Sequence, residues 1–306
     1  MITEARIVGE GTNYPLSAEL VLPDGQGPFP AAVLVHGSGT SDKDERIGKL
    51  TPFKDLAYGL ARHGIAVLRY DKRPYKHARR MMKDGLITVR QETIEDAVLA
   101  SKMLKNDPRI DAEKVFIIGH SMGAMLAGRI DAEGGDFAGI IMMAGTPNRM
   151  EDLLLRQLNE VHRDSRGLVK WIVGRQLRKM EKQLGGLYDM DEQTAKQKKF
   201  GGGTTLWYFR EMGMHPAADY LNAHSKPVLI MQGENDAQVS LTEDFEAWKD
   251  VLKDRKNVTY RQFPGLSHLF VPSEERTILK ASKESRKEKH IPDNVIEEIA
   301  AWIHSL

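Results

Sequence analysis

The segment Val115-Phe116-Ile117-Ile118-Gly119-His120-Ser121-Met122-Gly123-Ala124 sets a serine between two glycines, where an apolar run meets a helical pattern. A nucleophile on so sharp a strand-to-helix turn has a strained backbone, and the residues two before and two after it must be small. Gly119 and Gly123 meet that demand. The helix that follows aims its free N–H groups and positive dipole end at the reacting oxygen. G-x-S-x-G alone is common by chance, so its place between a strand and a helix carries the reading.

Three other strand ends hold groups that such a serine needs. Val33-Leu34-Val35 runs into His36-Gly37-Ser38-Gly39, a tight turn able to present the Ser38 N–H beside that of Met122 as an oxyanion hole; an ordinary strand-to-loop turn is the plain alternative. Residues 228–232 lead through Gly233 to Glu234-Asn235-Asp236, and residues 258–263 lead through Pro264-Gly265-Leu266-Ser267 to His268. Ligands of open α/β sheets bind at this carboxyl edge. Ser121, Asp236 and His268 are therefore the candidate nucleophile, acid and base, with Glu234 and Asp244 as rival carboxylates. His36 and His120 flank glycines and fit loop-orienting roles better than proton transfer. His120 and the cluster Trp207-Tyr208-Phe209 are candidates to contact substrate, against the alternative that the aromatics only pack.

Composition narrows the chemistry. The chain has 306 residues, 44 Lys and Arg against 43 Asp and Glu, and no cysteine. That excludes disulfides, thiolate metal sites and a thiol nucleophile. A net charge of +1 gives no global field for nucleic acid or an anionic membrane, so neither is expected as a partner. No signal-like segment opens the sequence and no apolar run approaches a membrane span, so a cytoplasmic location is expected. No metal or organic cofactor motif is found. The sequence leaves a homodimer open.

Elements to position these groups follow from an alternation of apolar runs with amphipathic stretches, the pattern of β-α-β units. Runs at 31–35, 65–70, 115–118, 139–144, 228–232 and 258–263 read as strands, several buried on both faces. Residues 6–8 and 16–22 read as an antiparallel hairpin at one edge, giving a mixed sheet of about eight strands. Helices are expected over 52–63, 88–106, 241–253 and 292–306. Residues 148–222 lack a convincing strand and read as a helical cap inserted into a core of 1–147 and 223–306. Its parts are helices near 150–161 and 168–184 and a hinge at Gly201-Gly202-Gly203. Residues 69–83 carry seven Lys or Arg against Asp71 and read as a basic loop; such a run is usually a solvated face, the sharper alternative being a site for acidic substrates.

Taken with HGSG at 36–39, LRYDKR at 68–73, GHSMG at 119–123, KPVLIMQGENDAQV at 226–239, GLSHLF at 265–270 and IPDNVIEEIAAWI at 291–303, the sequence resembles α/β-hydrolases of the EstD-like bacterial carboxylesterase group. Serine aminopeptidase-like and acyl-thioesterase-like hydrolases are relatives of that group. The resemblance spans nearly the whole chain. It implies the α/β-hydrolase fold and a Ser121, Asp236, His268 triad acting on a small-molecule ester, with short-chain carboxylic esters as the expected substrates. An acyl-CoA thioesterase, a small-peptide aminopeptidase and a non-catalytic binding module are the alternatives. The chain departs from the group at Pro74-Tyr75-Lys76, where a glycine-rich turn is usual, and at Met214-His215-Pro216, where an aspartate commonly precedes the proline.

Overall fold

The structure is a computed structural model that describes residues 1–306 apart from Leu86, Gly202 and the side chains of Ser282 and Glu284. Its centre is an eight-stranded sheet in the order β1-β2-β4-β3-β5-β6-β9-β10. The strands are β1 (Ile2–Val8), β2 (Leu16–Leu22), β3 (Phe29–Val35), β4 (Ala66–Tyr70), β5 (Ile110–His120), β6 (Ile140–Met143), β9 (Val228–Gly233) and β10 (Val258–Phe263). β2 runs antiparallel to both β1 and β4, and every other pairing is parallel. The chain has the α/β-hydrolase fold expected of it.

Central strands are continuously apolar because both faces are covered. On β3, Ala31, Val33 and Val35 belong to one buried cluster, while Ala32 and Leu34 belong to the other. Helices α1 (Pro52–Arg62) and α12 (Asp293–His304) cover the second cluster, while α3 (Glu95–Lys105) and α4 (Met122–Ile130) cover the first.

Residues 69–83 are not a loop. Helix α2 spans Arg73–Asp84, opening with Pro74 in its first turn, where a missing N–H costs nothing. Its basic residues hid the pattern, because they are interleaved with the apolar positions Pro74, Ala78, Met81 and Met82. Arg69 pairs with Glu19 and Asp44, Lys72 Nζ lies 2.6 Å from Glu92, and Arg73 Nε lies 2.9 Å from Asp96. The buried cations of this run are thus met by carboxylates within the fold.

Between β6 and β9 the chain forms α5 (Met150–Asp164), α6 (Gly167–Leu184), α7 (Glu192–Gln197), a small ribbon of β7 (Lys199–Gly201) and β8 (Thr204–Thr205), α8 (Leu206–Gly213) and α9 (Ala217–Asn222). The ribbon lay outside the expected pattern. Of the expected glycine hinge, Gly201 (φ 154°) and Gly203 (φ 87°) flank the ribbon's turn, and Gly202 lies outside the described residues. α5 is fastened to the core by Arg156, which pairs with the fully buried Asp244. That carboxylate also accepts from Thr146 Oγ1 at 2.6 Å and the Ser240 N–H at 2.6 Å. Asp244, one of the rival acids, is spent on this junction.

Candidate active site

β5 delivers Ser121 at its carboxyl end, where the backbone adopts φ 53° and ψ −116° before α4 begins. A side chain rarely accepts this geometry unless its surroundings enforce it. The flanking glycines show why they are needed. A Cβ at Gly119 would lie 2.3 Å from Gly123 O, and one at Gly123 would lie 2.2 Å from Val35 O. Strand β3, the elbow and α4 therefore meet at backbone contact. At the first turn of α4 the Met122 N–H has no intrahelical acceptor.

Asp236 sits just beyond β9 with its side chain fully buried. Gln238 N and Val239 N donate to Oδ1 at 2.7 and 3.0 Å, and Gln232 Nε2 donates to Oδ2 at 2.9 Å. His268 Nδ1 lies 2.7 Å from that same Oδ2. The Asp-x-Gln-Val element thus encodes a carboxylate clamp: its own N–H groups fix the acid. Gly233 completes the positioning, since a Cβ there would meet Leu266 O at 2.5 Å and push away the turn carrying His268. With Nδ1–H donated to a carboxylate, Nε2 is the basic nitrogen of the neutral ring. The Ser121 hydroxyl makes no hydrogen bond to this ring among the described residues; such bonds are often long without substrate and tighten when it binds.

Two histidines at strand ends have opposite electrostatics. His36 is buried with its Nε2 2.9 Å from Asp42 O, and burial depresses its pKa to about 4, so it is neutral. His120 is equally enclosed but has two acceptors: Glu45 Oε1 lies 3.0 Å from Nδ1 and His268 O lies 2.9 Å from Nε2. Burial pushes its pKa down, but the Glu45 carboxylate, with the His268 carbonyl and Asp236, raises it overall. For Glu45, burial pushes upward and His120 brings the net shift below the ordinary value. An imidazolium donating from both nitrogens satisfies this geometry.

Glu45 also accepts the Gly37 N–H at 2.8 Å, while Lys72 Nζ donates to Gly37 O at 2.7 Å. Gly37 is therefore held at both its N–H and its carbonyl, the latter in the peptide that carries the Ser38 N–H, and the same carboxylate is tied through His120 to the His268 backbone. The sequence reading missed Glu45, Lys72 and Gln232. The acidic stretch after the HGSG turn was the available signal, but nothing local links Glu45 to a histidine 75 residues away.

Ser38 and Met122 line a cavity of about 500 Å³. Pro74, Ala78, Met81 and Met82 of α2 form part of its wall, with Met150, Leu154, Met180, Tyr208 and Phe209 from the segment between β6 and β9. Tyr208 and Phe209 thus lie where a pocket role requires. Trp207 does not line this cavity; it packs beneath Lys196 and Arg210. His120 does not line it either, because its ring is spent on Glu45 and the His268 carbonyl. The face α2 turns to the cavity is apolar, contrary to an anion-selective basic loop. Among the described residues there is no cluster of metal-ligating side chains, and no helix is long and apolar enough to cross a membrane.

Comparison with known proteins bears on the family and the fold. The family model described as serine aminopeptidase, S33, matches residues 31–275. Esterase EstD of Thermotoga maritima is 36% identical over 288 residues, covering 94% of this chain; the chain spans only 65% of that relative's length. Among solved structures, Est1E from Butyrivibrio proteoclasticus superposes with a TM-score of 0.58 at 17% identity, covering 97% of this chain and 99% of that one. The Pyrococcus furiosus esterase Pf2001 does so with a TM-score of 0.59 at 17% identity, covering 99% and 90%. These two likenesses establish the fold. The chain belongs to the serine aminopeptidase, S33, family of hydrolases.

Proposed function

We propose that the chain is a serine carboxylesterase acting on uncharged, short-chain carboxylic esters. His268 Nε2 takes the Ser121 proton as Oγ attacks the carbonyl carbon. The oxyanion forms against the N–H groups of Ser38 and Met122, and the ring returns the proton to the leaving alcohol. Water, deprotonated by the same ring, then releases the acid from the acyl-enzyme. The single observation that carries the reading is the fully buried, clamped Asp236 at 2.7 Å from His268 Nδ1, in an architecture that strains Ser121 at a helix N-terminus.

Residues 148–222 act in this reading as a cap that walls the cavity. The lining favours a neutral ester over the alternatives. An aminopeptidase needs a free carboxylate for the substrate ammonium. Glu92 is the acidic residue among the described lining residues, and it is bound to Lys72 at 2.6 Å. A polyanionic CoA thioester needs cations there, and Lys179 is the cation among them. Hydrolysis of p-nitrophenyl acetate and butyrate, alanine p-nitroanilide and butyryl-CoA tests this. The expected order is esters first, with Ser121→Ala inactive on all. Retention of most ester activity by Ser121→Ala contradicts the triad, and faster anilide cleavage contradicts the ester assignment.

A further inference from the structure

Helix α6 presents an outer face that the proposed reaction does not use. Leu168, Trp171 and Ile172 are 72%, 59% and 50% exposed, and the adjacent Val169 is 53% exposed. Helical spacing puts Leu168, Trp171, Ile172, Arg175, Arg178 and Lys182 on one side, while Leu177 and Leu184 on the other side are buried. Residues 163–182 hold seven Lys or Arg against Asp164 and Glu181. Arg163 pairs with Asp164, whereas among the described residues Arg166, Lys170, Arg175, Arg178, Lys179 and Lys182 form no ion pair. The buried cations of this fold are each matched with carboxylates, as Arg69, Lys72, Arg73 and Arg129 show. A helix with exposed tryptophan and aliphatic side chains and unpaired cations has the composition of one that lies in a bilayer interface.

We infer that the outer face of α6 docks the protein on an anionic lipid surface. Trp171, Leu168 and Ile172 enter the headgroup boundary, and Arg175, Arg178 and Lys182 meet lipid phosphates. Charge complementarity selects this occupant. Two copies meeting through this face by two-fold symmetry would set like cations against each other. Nucleic acid would meet the cations but leave the apolar residues without a partner. The near-neutral total of the chain concealed this local excess. The same helix lines the cavity through Gln176, Lys179 and Met180, so docking brings the cavity wall to the lipid surface. This last consequence rests on the proposed esterase reading; the docking itself does not.

The test is co-sedimentation of the full chain with vesicles of phosphatidylglycerol and phosphatidylcholine, against phosphatidylcholine alone, at low and high salt. Binding is expected on the anionic vesicles and is expected to weaken with salt. It should fall about tenfold in Trp171→Glu/Ile172→Glu and in Arg175→Glu/Arg178→Glu. Each variant should hydrolyse a water-soluble ester at the wild-type rate, which shows that it folds, and Ser121→Ala should bind vesicles like the wild type. Absent or salt-insensitive binding overturns the proposal, as does binding unchanged in both double variants. A dimer in sedimentation velocity that these substitutions abolish, without vesicle binding, assigns the face to a second copy instead.

Discussion

Helices α4 and α6 contribute residues to the same cavity under different constraints. All nine residues of α4 are buried, and its first turn touches the backbone of β3 so closely that only glycine fits at 119 and 123. In α6 three of eighteen residues are buried, and the helix packs on α5, itself fastened to the core by Arg156 and Asp244. The sheet side holds the candidate residues through the Gly37, Asp236 and His120 hydrogen bonds. In the proposed function the outer side selects what arrives. Changes on the first side should therefore alter the chemical step or the fold, and changes on the second should alter binding.

The largest expected effect is at the acid. Asp236→Asn keeps the shape of the clamp but favours the wrong tautomer of His268, so kcat should fall about 10⁴-fold with little change in KM, the scale seen in other serine triads. Steady-state kinetics on a soluble ester checks this; a drop under tenfold would show that Asp236 does not set the tautomer. Next, Gly123→Ala should destabilise the fold by about 3 kcal/mol in urea unfolding, since the new methyl meets backbone rather than a movable side chain. Gly167→Ala, at φ 55° with open space around it, should cost about 1 kcal/mol. Equal losses would erase the contrast between the two helices.

Glu45→Gln sharpens the comparison from within the sheet side. It removes the partner charge of His120 while keeping its size, so it should cost about 2 kcal/mol near neutral pH. The folded protein raises the His120 pKa, so that part of the stability is complete below the ordinary histidine value and is lost as pH rises through the raised one. The Glu45 pKa is lowered, so its part is complete above the ordinary glutamate value and is lost as pH falls through the lowered one. The difference between wild type and Glu45→Gln should therefore shrink at both ends of the pH range. A constant difference from acid to alkali would mean the pair is not ionised.

On the cap side, Met180→Ala should raise KM for butyrate esters, a loss of about 1–2 kcal/mol of apolar contact, and leave kcat in place. The smallest effect belongs to Arg79→Ala/Arg80→Ala. Arg80 is engaged by Asn13 and Asp84, and the cavity face of α2 is apolar, so the ratio of rates on neutral and anionic esters should not change. A selective loss on anionic esters would restore the basic-loop reading.

The two regions also differed in how far they could be read from sequence. Central strands were legible because burial on both faces leaves unbroken apolar runs such as Val33-Leu34-Val35 and Val115-Phe116-Ile117-Ile118. Ser121, Asp236 and His268 stood out as candidates because each follows such a run at a glycine-bearing turn. Helix α2 was not legible, because its short apolar stripe of Pro74, Ala78, Met81 and Met82 is set among five Lys and Arg residues. The Glu45 and His120 pair was not, because its meaning arises only when distant loops meet. Trp207 shows the limit of clustering: three consecutive aromatics on one helix cannot all face one cavity.

The central claim is that Ser121 is a nucleophile made reactive by its surroundings. Treating the folded protein with a fluorophosphonate and mapping the adduct by peptide mass spectrometry tests it directly. The account predicts stoichiometric phosphonylation of Ser121, abolished in Ser121→Ala and by prior unfolding, with activity lost in proportion. Persistent activity with Ser121 unlabelled, or a stoichiometric adduct on another residue, would contradict it.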